Sequence, residues 1–267
     1  MPEGHVTHRA ARIHSERFGA TEVSVSSPQG RFEESAKKLD GSVIETVTAR
    51  GKHIFYWFST GEVLHIHLGL FGKFRLSRRP FPEASENARV LIWSEDHEMQ
   101  LTGPNTCELL SSNEVDDVTA KLGPDPIADG LKGVDRFSAQ LSKRKIPIGR
   151  ALMDQKVAAG LGNVFRSELL FLTGISPHTP SNKLSDPQVK ALWRAAVSAL
   201  KAAERSGKII TLTQTDAGKK RRSKLGRDEA LYAYQRDGEG CRRCSELVLA
   251  DKIDSRKVWW CPNCQPG

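Results

Sequence analysis

Near its carboxyl end the chain carries Cys241-x-x-Cys244 and Cys261-x-x-Cys264, two short knuckles separated by sixteen residues. Few sequence features constrain a fold as tightly, because a hairpin that joins such knuckles delivers four thiolates to one tetrahedral zinc. With all four positions filled by protein there is no open place for water, so the single ion is expected to be structural. Matched pairs in a chain that reads as intracellular argue against a disulfide framework. Lys252, Arg256 and Lys257 lie between the knuckles, so the hairpin tip would present cations beside the metal. The fifth cysteine, Cys107, stands apart and reads as buried filler.

The charge balance points to a polyanionic partner. Forty Lys and Arg stand against 32 Asp and Glu among 267 residues, a net charge of +8, which favours nucleic acid or an anionic membrane surface. No apolar run is long enough to span or anchor in a bilayer, which leaves nucleic acid as the better half of that choice and no membrane partner. The amino end lacks a basic stretch followed by an apolar one, so no signal peptide is expected and the protein is placed in the cytoplasm, associated with the nucleoid. The length suits two domains and a small appendage.

Residues 4–18 read as an amphipathic helix with Val6, Ala10, Ile13 and Phe18 near one face. From Val43 to Trp93 the pattern turns to β-rich runs, 43–47, 53–58, 63–68 and 90–93, with a further strand over 99–102. Their close spacing predicts an antiparallel sandwich. Leu122-Gly123-Pro124-Asp125-Pro126 is the clearest linker, and helices are expected after it at 147–155, 164–172 and 186–206. The basic stretch 216–228, with Lys219, Lys220, Arg221, Arg222, Lys224 and Arg227, fits phosphate contact and plain solvation equally well.

Two further stretches carry chemistry. In the run from Lys156 to Phe171, Gly160 and Gly162 break the chain just before Asn163, and an apolar-faced helix follows. Such a turn suits a phosphate clamp at a helix start, and it equally suits a helix corner capped by Asn163. At the amino end, Met1-Pro2-Glu3-Gly4 is by itself an ordinary helix start. The positive pole of the helix disfavours a protonated amine, so Pro2 would be held neutral there once Met1 is removed.

Taken together, the Pro2-Glu3-Gly4 start, Arg50-Gly51-Lys52, His67-Leu68-Gly69-Leu70, Leu122-Gly123-Pro124, the Lys156–Phe171 run, Tyr234-x-Arg236-x-Gly238 and the four cysteines follow the order found in one family. The whole chain resembles the formamidopyrimidine-DNA glycosylase and endonuclease VIII family, and is closer to endonuclease VIII. That resemblance implies an α+β protein: an amino-terminal antiparallel β-sandwich with flanking helices, then a helical helix-two-turns-helix domain with a zinc ribbon. The expected boundaries are 1–122 for the catalytic domain, 131–228 for the helical DNA-binding domain and 229–267 for the ribbon. It implies a monomeric base-excision repair enzyme acting on damaged DNA, with one structural zinc on Cys241, Cys244, Cys261 and Cys264 and no organic cofactor. The family's catalytic proline, glutamate and hairpin lysine fall on Pro2, Glu3 and Lys52. Its DNA contacts fall on Lys156, Asn163 and Arg256, and Leu70 takes the wedge position.

The implied chemistry suits these groups. A terminal amine has a reference pKa of about 8, so roughly 10% is neutral at pH 7, against about 0.04% of an ordinary lysine. Its attack on C1′ of a flipped nucleotide displaces the base and forms an iminium, after which strand scission proceeds by β- and δ-elimination. Glu3 would act as the general acid. The chain departs from the family pattern in two places. Where a second glutamate is common, it has His5, Val6 and Thr7. The loop that in purine-lesion enzymes supplies an arginine and a phenylalanine reads Gly103-Pro104-Asn105-Thr106-Cys107. Leu70 and the adjacent Phe71 remain as void fillers, and oxidised pyrimidines become the first expected substrate. The competing readings are an oxidised-purine glycosylase of the same family and a DNA module that binds damage without cutting.

Overall fold

A computed structural model of the protein describes residues 2–218, 220–226 and 229–267. It comprises two compact units, Met1–Lys121 and Leu122–Gly267. Among the described residues, no helix is long and apolar enough to cross a membrane.

The first unit opens with α1 (Gly4–Phe18), which follows an extended Glu3 and stops at Gly19. Its buried stripe runs through Thr7, Ala11, His14 and Phe18, a rotation away from the expected Val6, Ala10, Ile13 and Phe18. The reason is a buried partner, since the His14 ring lies 2.6 Å from the Tyr56 hydroxyl and so carries its polar atoms inward already satisfied. Burial pushes the His14 pKa down to about 4, keeping the ring neutral in the core.

There follow β1 (Thr21–Ser26), α2 (Glu33–Leu39), β2 (Ser42–Arg50), β3 (His53–Phe58), β4 (Val63–His67), β5 (Lys73–Arg78), β6 (Ala88–Trp93), β7 (His97–Thr102), β8 (Thr106–Leu110) and α3 (Ser112–Ala120). The eight strands form one sheet in the order β5-β7-β6-β1-β2-β3-β4-β8, with antiparallel pairing throughout. Strand β1 joins its two halves: Thr21–Val23 pair with β2, while Ser24–Ser26 pair with β6. Side chains from both halves, among them Ile54, Ile66, Ile92 and Leu101, share one apolar core with Phe18. Strands β3 and β4 are covered on both faces, which is why their sequences scarcely alternate. Phe55 and Val63 pack against Val115 of α3 in a separate cluster.

The second unit contains α4 (Val134–Ser142), α5 (Ile148–Ala151), α6 (Asn163–Thr173), α7 (Asp186–Ser206) and α8 (Gln214–Ala217), then β9 (Leu249–Ile253) and β10 (Arg256–Trp260) as an antiparallel hairpin. Helix α7 has the expected bounds because every local signal agrees. Ser185 and Gln188 form a capping box, Pro187 lies in the first turn, and Gly207 closes the helix in the left-handed conformation. Its buried face includes Val189, Leu192, Trp193, Ala196 and Leu200, each worth up to about 1.5–3 kcal/mol for the larger side chains. The helix expected over 147–155 is a single turn. Beyond it the side chains compete with the helix: Asp154 accepts the Lys156 amide at 2.9 Å. Gln155 donates to the Leu161 carbonyl at 3.0 Å and accepts the Gly160 amide at 2.9 Å. The last part of the chain shares one core, in which Phe171 of α6 meets Tyr232, Val248, Trp259, Cys241 and Cys261.

Candidate functional site

The amino end of the first unit is built around the start of α1. Glu3 is fully buried, Pro2 is half-buried, and the Glu3 carbonyl accepts the Val6 amide at 2.8 Å. The Thr7 hydroxyl lies 2.6 Å from the Gly51 carbonyl and 2.9 Å from that of Gly4. This contact fastens the turn between β2 and β3, which carries Lys52, to the first turn of α1. Pro2, Glu3 and Lys52 therefore belong to one neighbourhood although fifty residues separate them in sequence. His5, in the segment His5–Thr7 that lacks the family's second glutamate, is buried, and burial pushes its pKa down to about 4. Three further histidines, His53, His65 and His67, cluster on β3 and β4, and His53 follows Lys52 directly in the chain. Sequence reasoning read His67 only within the His67–Leu70 motif and passed over the cluster, although His65-Ile66-His67 on a strand places two rings on one face.

Between β4 and β5, Leu70 is 58% and Phe71 84% exposed. Gly69 shapes that loop: its φ is +65°, and a Cβ there would lie 2.7 Å from the Asn105 Cβ. Asn105 in turn donates its amide to the His67 carbonyl at 2.9 Å. The loop over 103–107 thus braces the backbone of the turn that carries the two apolar side chains.

In the second unit, the turn before α6 is held from several sides. Gly123 of the linker donates to the Gln155 carbonyl at 2.9 Å, and a Cβ on Gly123 would lie 2.5 Å from the Lys156 carbonyl oxygen. Asn163 is the first residue of α6 and the cap position is Gly162, so Asn163 is not the cap. Its side-chain oxygen accepts from the buried Arg166 guanidinium. Arg166 also donates to the Gly149 carbonyl at 3.2 Å and the Lys257 carbonyl at 2.5 Å. One cation thereby orients Asn163 and fixes the hairpin that bears Arg256. A second tie, Arg150 to Asp254 at 3.0 Å, holds the hairpin tip. Arg166 had no sequence signal, since a helical arginine three residues after Asn163 looks like any solvated one. Lys156 and Arg256 are exposed. In the basic stretch Lys220 pairs with Glu229, and Arg222 donates to the Ile210 carbonyl at 2.9 Å. Lys219, Arg227 and Asp228 lie outside the described residues.

The four ribbon cysteines converge. Their sulfurs all lie within 4.8 Å of one another, with Cys241–Cys264 at 3.8 Å and Cys244–Cys261 and Cys244–Cys264 at 3.5 Å. A tetrahedron with zinc–sulfur bonds of about 2.3 Å has edges of about 3.8 Å, whereas a disulfide would need about 2.05 Å. The donor set and its size fit one zinc ion. Burial raises the Cys261 and Cys264 thiols, while hydrogen bonds from Asn263 and the Glu246 backbone lower Cys244 to about 6. A divalent cation is what would let all four ionise together.

Residues 1–107 match the formamidopyrimidine-DNA glycosylase N-terminal domain, and residues 122–215 match the formamidopyrimidine-DNA glycosylase H2TH domain. The chain is 42% identical to Endonuclease 8 1 of Mycobacterium tuberculosis, covering 99% of this chain and 100% of that one. It is 33% identical to Endonuclease 8 2 of Mycobacterium bovis, again over 99% and 100%. Among solved structures, a complex of the Lactococcus lactis Fpg with DNA containing an abasic site is similar with a TM-score of 0.81 and 25% identity, covering 99% and 100% of the two chains. On sequence and fold together, the chain belongs to the formamidopyrimidine-DNA glycosylase and endonuclease VIII family.

Proposed function

We propose that this DNA glycosylase and abasic-site lyase of base-excision repair acts on oxidised pyrimidines, with the Pro2 nitrogen as nucleophile once Met1 is removed. The observation that carries the reading is the Thr7–Gly51 contact, which sets the lysine turn beside the helix start that bears Pro2 and the buried Glu3. The neutral secondary amine attacks C1′ of the flipped nucleotide. The C1′–N bond breaks, the base leaves with a proton, and the ring opens to an iminium on Pro2. Glu3 supplies the proton that the opening sugar oxygen takes up. Loss of a C2′ proton then expels the 3′ phosphate, and a second elimination expels the 5′ phosphate. Lys52, Lys156, Asn163 and Arg256 serve as phosphate contacts. The four cysteines hold one structural zinc that stiffens the hairpin carrying Arg256.

The pyrimidine preference is supported by the loop over 103–107, which offers no arginine or aromatic wedge, and by Leu70 and Phe71, which stay exposed on the neighbouring turn. These exposed side chains suit the filling of a void in the duplex. The test is incision and borohydride trapping on duplexes bearing an oxidised pyrimidine, an oxidised purine or an abasic site. The expected order is abasic and pyrimidine ahead of purine, with the adduct mapping to Pro2. Faster cutting of the purine substrate would reverse the assignment of substrate, and binding without any cutting would make the protein a damage-recognition module.

A further inference from the structure

On the sheet face that also carries Phe55, three neighbouring strands place a chain of polar groups that the reaction above does not use. The Glu108 carboxylate lies 2.9 Å from His65 Nδ1, and His65 Nε2 lies 2.8 Å from His53 Nδ1. The pairing sets this up: Glu108 faces His65 across β4 and β8, and His53 faces His67 across β3 and β4. The His53 and His65 rings meet edge to edge and nearly coplanar, with centroids 5.1 Å apart, and the Phe55 ring lies 5.0 Å from that of His65. His67 closes the cluster with its ring 5.0 Å from that of His53. His53 follows Lys52 directly in the chain.

The direction of the protons follows from the donor inventory. An ionised carboxylate only accepts, so His65 carries its proton on Nδ1 and presents a bare Nε2. A bare Nε2 only accepts, so His53 must carry its own proton on Nδ1, which leaves His53 Nε2 as a lone pair. All three rings are kept neutral by burial, aided at His53 and His67 by the nearby charge of Lys52, with His53 pushed down to about 3. A carboxylate behind a histidine is a familiar way to fix tautomer and ring orientation at a working site.

We propose that Glu108 and His65 are positioning residues that hold His53, the first residue of β3, in one tautomer and orientation, and so steady the adjoining turn that carries Lys52 for DNA contact. The proposal rests on the assignment of Lys52 to the site. Glu108 is half-exposed on an edge strand, so it can be changed without opening the core. The experiment has two arms. Imidazole ¹⁵N spectra of the whole protein should show His65 and His53 protonated on Nδ1, with the His65 signature lost in Glu108→Leu and kept in Glu108→Gln. Binding of a duplex with a tetrahydrofuran abasic analogue should weaken about 5-fold in Glu108→Leu, be largely rescued in Glu108→Gln, and show no further loss when Glu108→Leu is added to Lys52→Ala. An undiminished effect of Glu108→Leu in the Lys52→Ala background overturns the proposal, as does a His65 protonated on Nε2. Failure of the wild type to cut or trap abasic DNA would instead strike the functional reading, and the spectra would still decide the relay.

Discussion

Helices α3 and α7 begin where a side chain closes them off, and helices α1 and α6 begin where none does. Ser111 with Glu114 and Ser185 with Gln188 form reciprocal capping boxes, and both first turns carry an acid. At α1 and α6 the cap position offers no side-chain bond and the first turn has no acid. A capping residue is worth about 1 kcal/mol, so two of the four helices forgo stability that the other two take. What they keep is the positive pole without a side-chain cap, which disfavours a protonated amine at one site and favours a phosphate at the other. Of these four, the uncapped starts are the two that bear Pro2 with Glu3 and Asn163; α2, α4 and α5 also start without a side-chain cap, α5 without an acid as well.

That contrast is best broken at α1. A chain with one extra residue ahead of Pro2 has an amide there and should lose incision by about 10³-fold or more, while binding of damaged DNA is largely kept. Pro2→Gly should retain weaker trapping through its primary amine. Undiminished cutting by the extended chain would move the nucleophile elsewhere, with Lys52 first in line. Glu3→Gln comes next: base excision should fall about 10²–10⁴-fold with binding retained, since the amide keeps the shape and cannot donate a carboxyl proton.

At α6 the effect is read through salt. About five neutralised phosphates give a slope near −4.5, so affinity should fall about 500-fold between 50 and 200 mM salt, and Arg256→Ala should flatten the slope by about one unit. A flat salt profile would contradict the clamp. Cys261→Ser should lower zinc content, thermal stability and DNA affinity together, the last by about 10-fold; folded wild-type protein free of zinc by elemental analysis would end the ribbon assignment. The smallest effect sharpens the comparison from its other side. Ser185→Ala should cost about 1 kcal/mol in unfolding experiments and leave incision unchanged, because that cap serves the fold alone. Lost activity at full occupancy of the folded state would mean that capped helices also serve the site.

By itself the sequence determined whatever rests on short-range periodicity or spacing. Helix α7 was legible to the residue because cap, proline, apolar period and terminal glycine agree within 23 residues, 185–207. The four cysteines were legible because ligand spacing is itself a geometric statement. The resemblance named Pro2, Glu3, Lys52, Asn163 and Arg256 as residues without saying what holds them. Tertiary structure decided the rest, since each remaining feature depends on a partner remote in the chain. His14 turns inward because Tyr56 waits 42 residues away. β1 divides its pairing between β2 and β6. Thr7 reaches Gly51 across 44 residues and Arg166 reaches Lys257 across 91. A side chain's hydrogen-bonding capacity is written in its identity, but which remote group meets that capacity is set only when topology brings the two together and burial makes an unmet bond costly.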